Sequence, residues 1–382
     1  MRDRVCEAKR IVVKLGSNLF FNESGAIALG RIFSFIEDIA ASRLSGRQII
    51  VVSSGAVALG ADALKMKSAT ASLAQKQALA AIGQSRLMNL YEQGFAKYGL
   101  TAAQVLLTED DFSGRKRYLN LRHTLTTLLD IGVIPVINEN DTVSTTELEI
   151  TDRSPSFGDN DKLSALVMSK LEATVLVLLS DVDGLFTDNP RENADAEFIP
   201  EVSEITPDIL ATVGRKSTRG RGGMATKLQA ARIAMDSGGI AIIANGLKTG
   251  VLSRVLNGNH EGTLFVGKTG SLSEKRRWIA FASAVSGRIY INEGALDAIT
   301  KRNASLLYAG VTRIESEFER GDVVSIVGPN AKEIARGIVN YSSEDALKLI
   351  GKHSDEIGRL ATSKNYDAFI TRNNIAFLTE HR

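Results

Sequence analysis

Two short stretches of this chain combine glycine with lysine in the way a phosphate site demands. Lys14-Leu15-Gly16-Ser17 ends an apolar run, and Gly222-Gly223-Met224-Ala225-Thr226-Lys227 opens a helical one. Glycine lets backbone approach an anion closely, and a helix N-terminus adds positive potential. Lys14 supplies a full charge at its strand end. Lys227 falls about one turn into its helix, so its ammonium can reach back toward phosphates held at the paired glycines. Arg215, Lys216, Arg219 and Arg221 crowd the same loop. Asp141, Asp159, Asp161, Asp181 and Asp183 fall at strand ends or helix starts. Carboxylates there, or waters they hold, suit Mg2+, which takes oxygen ligands. Singly, each feature has an ordinary alternative: a plain βα turn, a basic glycine-capped loop, an N-cap or turn aspartate. A common position in the fold is what favours the chemical reading.

Other spellings carry less. Gly262-Thr263-Leu264-Phe265-Val266-Gly267-Lys268-Thr269 matches the Walker A pattern. A P-loop must follow a strand and open a helix, whereas here the four intervening residues are themselves strand-like. His123, His260, His353 and His381 show no metal or triad spacing, and Cys6 has no activating neighbour. One cysteine excludes an internal disulfide and a multi-cysteine metal site, which fits a reducing compartment.

The elements that must position these residues follow from periodicity. From 10 to 270, short β-branched runs alternate with longer amphipathic ones. Strands are expected at Arg10–Leu15, Gln48–Val52, Ala102–Leu107, Val133–Ile137, Thr174–Leu179 and Ile240–Ala244. Helices are expected through Ile32, Phe35, Ile36 and Ile39, then at Ser72–Lys97, Leu119–Leu129, Lys162–Leu171 and Gly223–Ser237. Several strands are apolar on both faces, as in a parallel sheet covered by helices. Their C-terminal ends carry the Gly, Ser, Asn and Asp clusters, and open α/β sheets bind ligands at that edge. The fold class expected is therefore α/β: an open, mainly parallel sheet sandwiched by helices, followed by a small, mostly β second domain. The boundaries read as 1–270 for the first domain, 271–284 for a linker, 285–363 for the second domain and 364–382 for a tail. In the second domain Ser342-x-x-Asp345 reads as a capping box opening the helix Ala346–Ile350.

Composition bounds the partners. With 382 residues, roughly two or three domains fit. The formal charge of +2, from 46 basic and 44 acidic residues, argues against a wholesale polyanion binder. Lys275-Arg276-Arg277, Lys301-Arg302 and Arg313 leave RNA as a possible partner, but no aromatic ladder interleaves them. The first residues carry charge without an apolar h-region, and no apolar run is long enough to span a bilayer. A cytoplasmic location with no membrane partner is expected.

Taken together, the clusters resemble the amino-acid kinase family. The matching pieces are Val12–Ser17, Val52–Gly60, Asn138-Glu139-Asn140-Asp141, Gly158-Asp159-Asn160-Asp161, Leu179–Leu185 and Gly222–Lys227, in the family's order and within residues 10–265. The second domain resembles a PUA domain through Gly294–Ile299, Leu307–Val311 and Phe318–Val324. A PUA domain narrows the resemblance to members that phosphorylate the side-chain carboxylate of glutamate with ATP, the first step of proline biosynthesis. It implies a catalytic set of Lys14 and Lys227 on the phosphates, with Asp161 organising both. It further implies Ser54, Asp141 and Asn160 for glutamate. For ATP it implies Lys14, Ser180, Asp181, Arg221, Gly222, Gly223, Met224, Ala225, Thr226 and Lys227. No dedicated protein metal site is implied, since Mg2+ would be held through ATP phosphates and water. Proline as feedback inhibitor, a glutamyl-phosphate reductase as partner and a homo-oligomeric state belong to the same resemblance. Two departures stand out: the stretch 146–157 is long, and Arg219 and Arg221 make the nucleotide loop unusually basic.

The chemistry suits residues of these types. A glutamate side chain has a pKa of about 4.3, so at neutral pH the nucleophile is already ionised. No general base is required, which is consistent with the absence of a histidine constellation. What remains is to bring two anions together in line, by positioning and charge neutralisation. The alternative acceptors within the family are acetylglutamate and a nucleoside monophosphate.

Overall fold

The computed structural model describes residues 2–66, 71–108, 110–113, 115–143, 160–213, 223–267, 276, 279–280, 285–349 and 368–378. The chain divides into two units, one comprising Met1–Asp111 with Tyr118–Ser271, the other Phe112–Arg117 with Leu272–Arg382.

The first unit is built on strands β1 (Arg10–Leu15), β2 (Gln48–Ser53), β3 (Ala102–Leu107), β4 (Ile134–Glu139) and β5 (Val175–Ser180), then the small hairpin β6 (Leu185–Phe186) and β7 (Phe198–Ile199), and β8 (Glu201–Val202), β9 (Ile240–Asn245) and β10 (Thr263–Val266). Eight of them form one sheet in the order β3-β4-β2-β1-β5-β9-β10-β8. Every pairing from β3 to β9 is parallel, and β10 joins β9 antiparallel. Besides the four-residue helices Asp3–Cys6 and Asp110–Ser113, the described helices are α1 (Leu29–Leu44), α2 (Ala56–Leu64), α3 (Leu73–Ala96), α4 (Arg115–Asp130), α5 (Asn160–Lys170), α6 (Pro207–Val213), α7 (Met224–Asp236) and α8 (Val251–Leu256). The chain runs from β1 to one side through β2 and then returns to the other side at β5. Strand order reverses at β1, which is where ligands of open α/β sheets bind.

The parallel core explains the near-continuous apolar strands. In β5 every residue of Val-Leu-Val-Leu-Leu-Ser is buried, because helices cover both faces. Side chains alternate along a strand, so β1 divides between the two layers. Ile11, Val13 and Leu15 pack with Ile36 of α1 and Leu87 and Tyr91 of α3. Val12 and Lys14 face the opposite layer, where α5 and α7 pack on each other and on the sheet. The strand period thus aims Lys14 at the layer that carries Asp161 and Lys227.

Helix α2 falls where no helix is expected from the sequence. It is short and apolar nearly all round, so it shows no helical stripe. It crosses α3 at two glycines. A Cβ on Gly83 would stand 1.7 Å from the Ala56 carbonyl oxygen, and one on Gly60 2.0 Å from that of Leu79. The four intervening residues of the Walker A spelling, Thr263–Val266, are strand β10 itself, where a P-loop requires a loop.

Among the described residues the second unit is a five-stranded sheet with helices α9 (Glu293–Lys301) and α10 (Ser343–Leu349). Its strands are β11 (Gly287–Ile291), β12 (Val311–Glu315), β13 (Val323–Val327), β14 (Glu333–Ile338) and β15 (Ile375–Phe377), in the order β12-β11-β13-β14-β15. At the start of α10 the Asp345 N–H donates to Ser342 Oγ at 3.3 Å, one half of the expected capping box. The tail expected at 364–382 is corrected. Ile375–Phe377 pairs with β14, Ile370 bridges Leu306, and Phe369, Ile370 and Ile375 lie in the core. A three-residue strand paired across some forty positions is too short for periodicity to reveal. Arg313, one of the basic residues considered for RNA, is paired with Glu315 and stacked on Tyr290 within this sheet.

Candidate active site

The C-terminal ends of β1, β2, β4, β5 and β9 assemble the site. Lys14 is the fifth residue of β1, and only 5% of it is exposed. Its Nζ lies 2.6 Å from Asp161 Oδ1. Asp161, fully buried, sits in the first turn of α5, where the helix dipole favours a carboxylate. Lys227, 4% exposed, reaches back from α7 and places Nζ 3.1 Å from Asp161 Oδ2. The hydroxyl of Thr226 is 3.1 Å from the same oxygen and 2.9 Å from the Gly223 carbonyl. Ser164 Oγ donates to the Asp161 carbonyl at 2.6 Å, fixing the first turn. Burial alone would raise the Asp161 carboxyl. The two ammonium groups and their hydrogen bonds outweigh it and hold the group below the usual carboxylate range.

Close approach shapes the turn after β1. The Gly16 N–H donates to the Leu179 carbonyl at 3.1 Å, and a Cβ on Gly16 would press to 3.2 Å of that oxygen and 3.8 Å of Lys14 Nζ. A side chain there would press on the Leu179 carbonyl of β5, which would have to give by a few tenths of an ångström.

Two of the glutamate candidates, Ser54 and Asn160, belong to a hydrogen-bonded chain beside this cluster that also takes in Asn138 and Gln84. Asn160, next to Asp161, donates from Nδ2 to Ser54 Oγ at 2.8 Å and to Asn138 Oδ1 at 3.1 Å. Asn138 in turn donates to Gln84 Oε1 at 2.9 Å. The backbone at Ser54 is anchored through its neighbour: the Tyr91 hydroxyl donates to Ser53 Oγ at 2.8 Å, and burial pushes that hydroxyl well above its ordinary pKa. Gly55 follows with φ of 108°, a left-handed turn that starts α2. Asp141 lines a cavity of about 300 Å³ together with Gln84, Ala56 and Glu139.

The nucleotide candidates Ser180 and Asp181 follow β5. Ser180 Oγ donates to Asp181 Oδ1 at 3.1 Å, and Asn18 Nδ2 to its Oδ2 at 3.2 Å. Burial tends to raise the Asp181 carboxyl, but these donors and Arg191 bring it below the ordinary range. Nearby in sequence, Asp183 is held low by a hydrogen bond from Lys248, at 2.5 Å. Gly223, Met224, Ala225 and Thr226 form the start of α7, where Gly223 provides no side-chain cap. Arg221 and Gly222 lie outside the described residues, as do Asp159, the basic residues 215–219 and the stretch 146–157.

Geometry thus unites Lys14, Asp161, Lys227 and Thr226 in one group, and Ser54 with Asn160 in an adjoining one. Asn138 stands in a quoted motif without an expected role, and Gln84 goes unremarked in the sequence. Its signal is there: Ala80, Leu87 and Tyr91 mark the buried stripe of α3, and Gln84 occupies a stripe position with a polar side chain.

A model of the family described as "Amino acid kinase family" matches residues 9–245, a span holding the whole cluster. The chain belongs to the amino acid kinase family. A PUA domain model matches residues 287–360. Among relatives named "Glutamate 5-kinase", the one from Moorella thermoacetica is 43% identical over 384 residues, covering 99% of this chain and 100% of the relative. Those from Caldanaerobacter subterraneus subsp. tengcongensis and Geobacter sulfurreducens are each 44% identical, covering 97% of this chain and 98% of the relative. Among the described residues no helix is long and apolar enough to cross a membrane.

Proposed function

We propose that this chain transfers the γ-phosphoryl group of ATP to the side-chain carboxylate of glutamate, giving glutamyl 5-phosphate at the start of proline synthesis. One observation carries the reading: two ammonium groups, far apart in sequence, share a single buried carboxylate at the binding edge of the sheet. Stability does not explain such an arrangement. Desolvating each ion costs several kcal/mol, and apolar side chains of similar volume are often at least as stable. Buried charge held at a ligand-binding edge fits a site whose ligand is itself an anion.

In this reading a γ-carboxylate oxygen of glutamate attacks the γ-phosphorus while the bond to the β–γ bridging oxygen breaks and ADP leaves. Lys14 and Lys227 neutralise the charge on the transferring group. Asp161 holds both ammonium groups in place before the substrates arrive, so little reorganisation accompanies the reaction. Ser54, Asn160 and Asp141 orient glutamate. Ser180, Asp181 and the Arg221–Lys227 segment take ATP. Both Asp161 oxygens face ammonium groups. Mg2+ would accompany the ATP phosphates and neutralise their charge. The product is an acyl phosphate, which calls for a reductase that consumes it before water does. Proline as end-product inhibitor and a homo-oligomeric state belong to the same reading.

The test is ADP release by the purified chain with MgATP, with and without glutamate, and with hydroxylamine as trap. ADP release that depends on glutamate, with a matching yield of hydroxamate, is expected. Turnover with acetylglutamate or a nucleoside monophosphate but not with glutamate would overturn the reading.

A further inference from the structure

The amide chain beside the lysine cluster runs in one direction. Asn160 donates to Ser54 and Asn138, Asn138 donates to Gln84, and Gln84 uses only its oxygen. The two ends are left over. Asn160 Oδ1 and Gln84 Nε2 are buried with no hydrogen-bond partner among the described residues. Gln84 is 8% exposed and lines the cavity that Asp141 also lines. A buried amide N–H without an acceptor costs about 1–3 kcal/mol, so a donor left this way is expected to meet an acceptor that arrives with a ligand. Of the other lining groups, Ser85 already donates to the Ile82 carbonyl.

We infer that Gln84 is a substrate-binding and specificity residue, its Nε2 donating to the α-carboxylate of glutamate. The inference rests on the proposed reaction. There the side-chain carboxylate must lie at Lys14 and Lys227, because that carboxylate reacts. Asn160 adjoins Asp161 at this end of the amide chain. Gln84 stands at the other end, and so at the α-carbon end of the substrate. Asp141, on the same cavity, supplies a carboxylate for the α-ammonium group. A carboxylate acceptor and an ammonium donor on neighbouring atoms are what an α-amino acid offers. An acceptor substrate lacking the α-carboxylate would leave the Gln84 donor unsatisfied, so the site would reject it.

Two variants test this. Gln84→Glu keeps the oxygen that accepts from Asn138 and removes the donor. Gln84→Met fills similar space with neither group. Steady-state kinetics are measured for the full-length parent and both variants with glutamate and with 4-aminobutyrate, which lacks the α-carboxylate. Circular dichroism checks that each variant is folded. The expected result is a glutamate KM raised about ten- to a hundredfold in both variants, as for loss of a hydrogen bond to a charged group. The KM for ATP stays unchanged, and the preference for glutamate over 4-aminobutyrate shrinks by a similar factor. A merely structural role would alter the KM for both acceptors alike and leave that preference intact, which would overturn the inference. A glutamate KM unchanged in Gln84→Glu would overturn it too. If the parent itself releases no ADP with glutamate, the proposed reaction fails, a separate result from an active parent with insensitive variants.

Discussion

Replacing Asp161 by asparagine probes the cluster with almost no change in shape. The parent residue is fully buried and its two oxygens meet Lys14 at 2.6 Å and Lys227 at 3.1 Å. The amide carries no charge, so two ammonium groups, each about 95% buried, lose the counter-ion they share. Removing one partner of a buried ion pair typically costs about 3–5 kcal/mol, and here one carboxylate serves two cations, so the upper part of that range is expected. Urea unfolding followed by circular dichroism reads the loss as a lowered midpoint with little change of slope. ATP phosphates bring negative charge back to the lysines. Saturating MgATP should therefore restore stability more in the variant than in the parent, through tighter binding to the folded form. Turnover nonetheless falls at least about a hundredfold, because the lysines are no longer held before the phosphoryl group transfers. A stability loss below about 1 kcal/mol together with near-normal turnover would refute the reasoning.

Three further outcomes follow from other parts of the structure. The Asp161 carboxyl is held below the ordinary value of about 3.9, so its contribution is complete above that pH and disappears as pH falls through the lower folded-state value. The parent should consequently lose more stability than Asp161→Asn between pH 5 and pH 2, roughly the window of carboxylate titration, and parallel urea midpoints across that range would contradict this. Asp141→Ala should raise the glutamate KM with little change in that for ATP, and unaltered glutamate kinetics would remove Asp141 from the substrate site. Gly83→Ala forces a Cβ to within 1.7 Å of the Ala56 carbonyl oxygen, so α2 and α3 must part. Thermal unfolding should show a loss of about 1–3 kcal/mol, and an unmoved midpoint would mean that the helices yield freely.

Much of this arrangement is legible in the sequence because the first unit obeys local rules. A β-branched run ending in Lys-Leu-Gly-Ser gives β1, and strand alternation alone places Lys14 opposite Val13 and Leu15. Asp161 and Lys227 are legible as residues near helix starts. What the sequence does not announce are pairings made over long range. Nothing local says that Asn138, Asn160 and Gln84 share hydrogen bonds, because they lie on three elements brought together only by the sheet order. Helix α2 escapes because it is apolar nearly all round and lacks an amphipathic period. Strand β15 escapes because three residues carry no period and its partner, β14, lies some forty residues away. Gln84 is the instructive miss. A polar residue on the buried stripe of a helix is visible from spacing, but its hydrogen-bond partner and its unused donor are properties of the packed structure alone.

The claim on which the account depends is that Lys14 and Lys227 serve one transferring phosphoryl group. A kinetic double-mutant cycle on Lys14→Ala, Lys227→Ala and the double variant measures it directly. Each single change should lower kcat by about a hundredfold or more, and the double variant should fall far short of the product of the two effects, as for groups acting as one unit. Turnover close to that of the parent in either folded single variant would contradict the account.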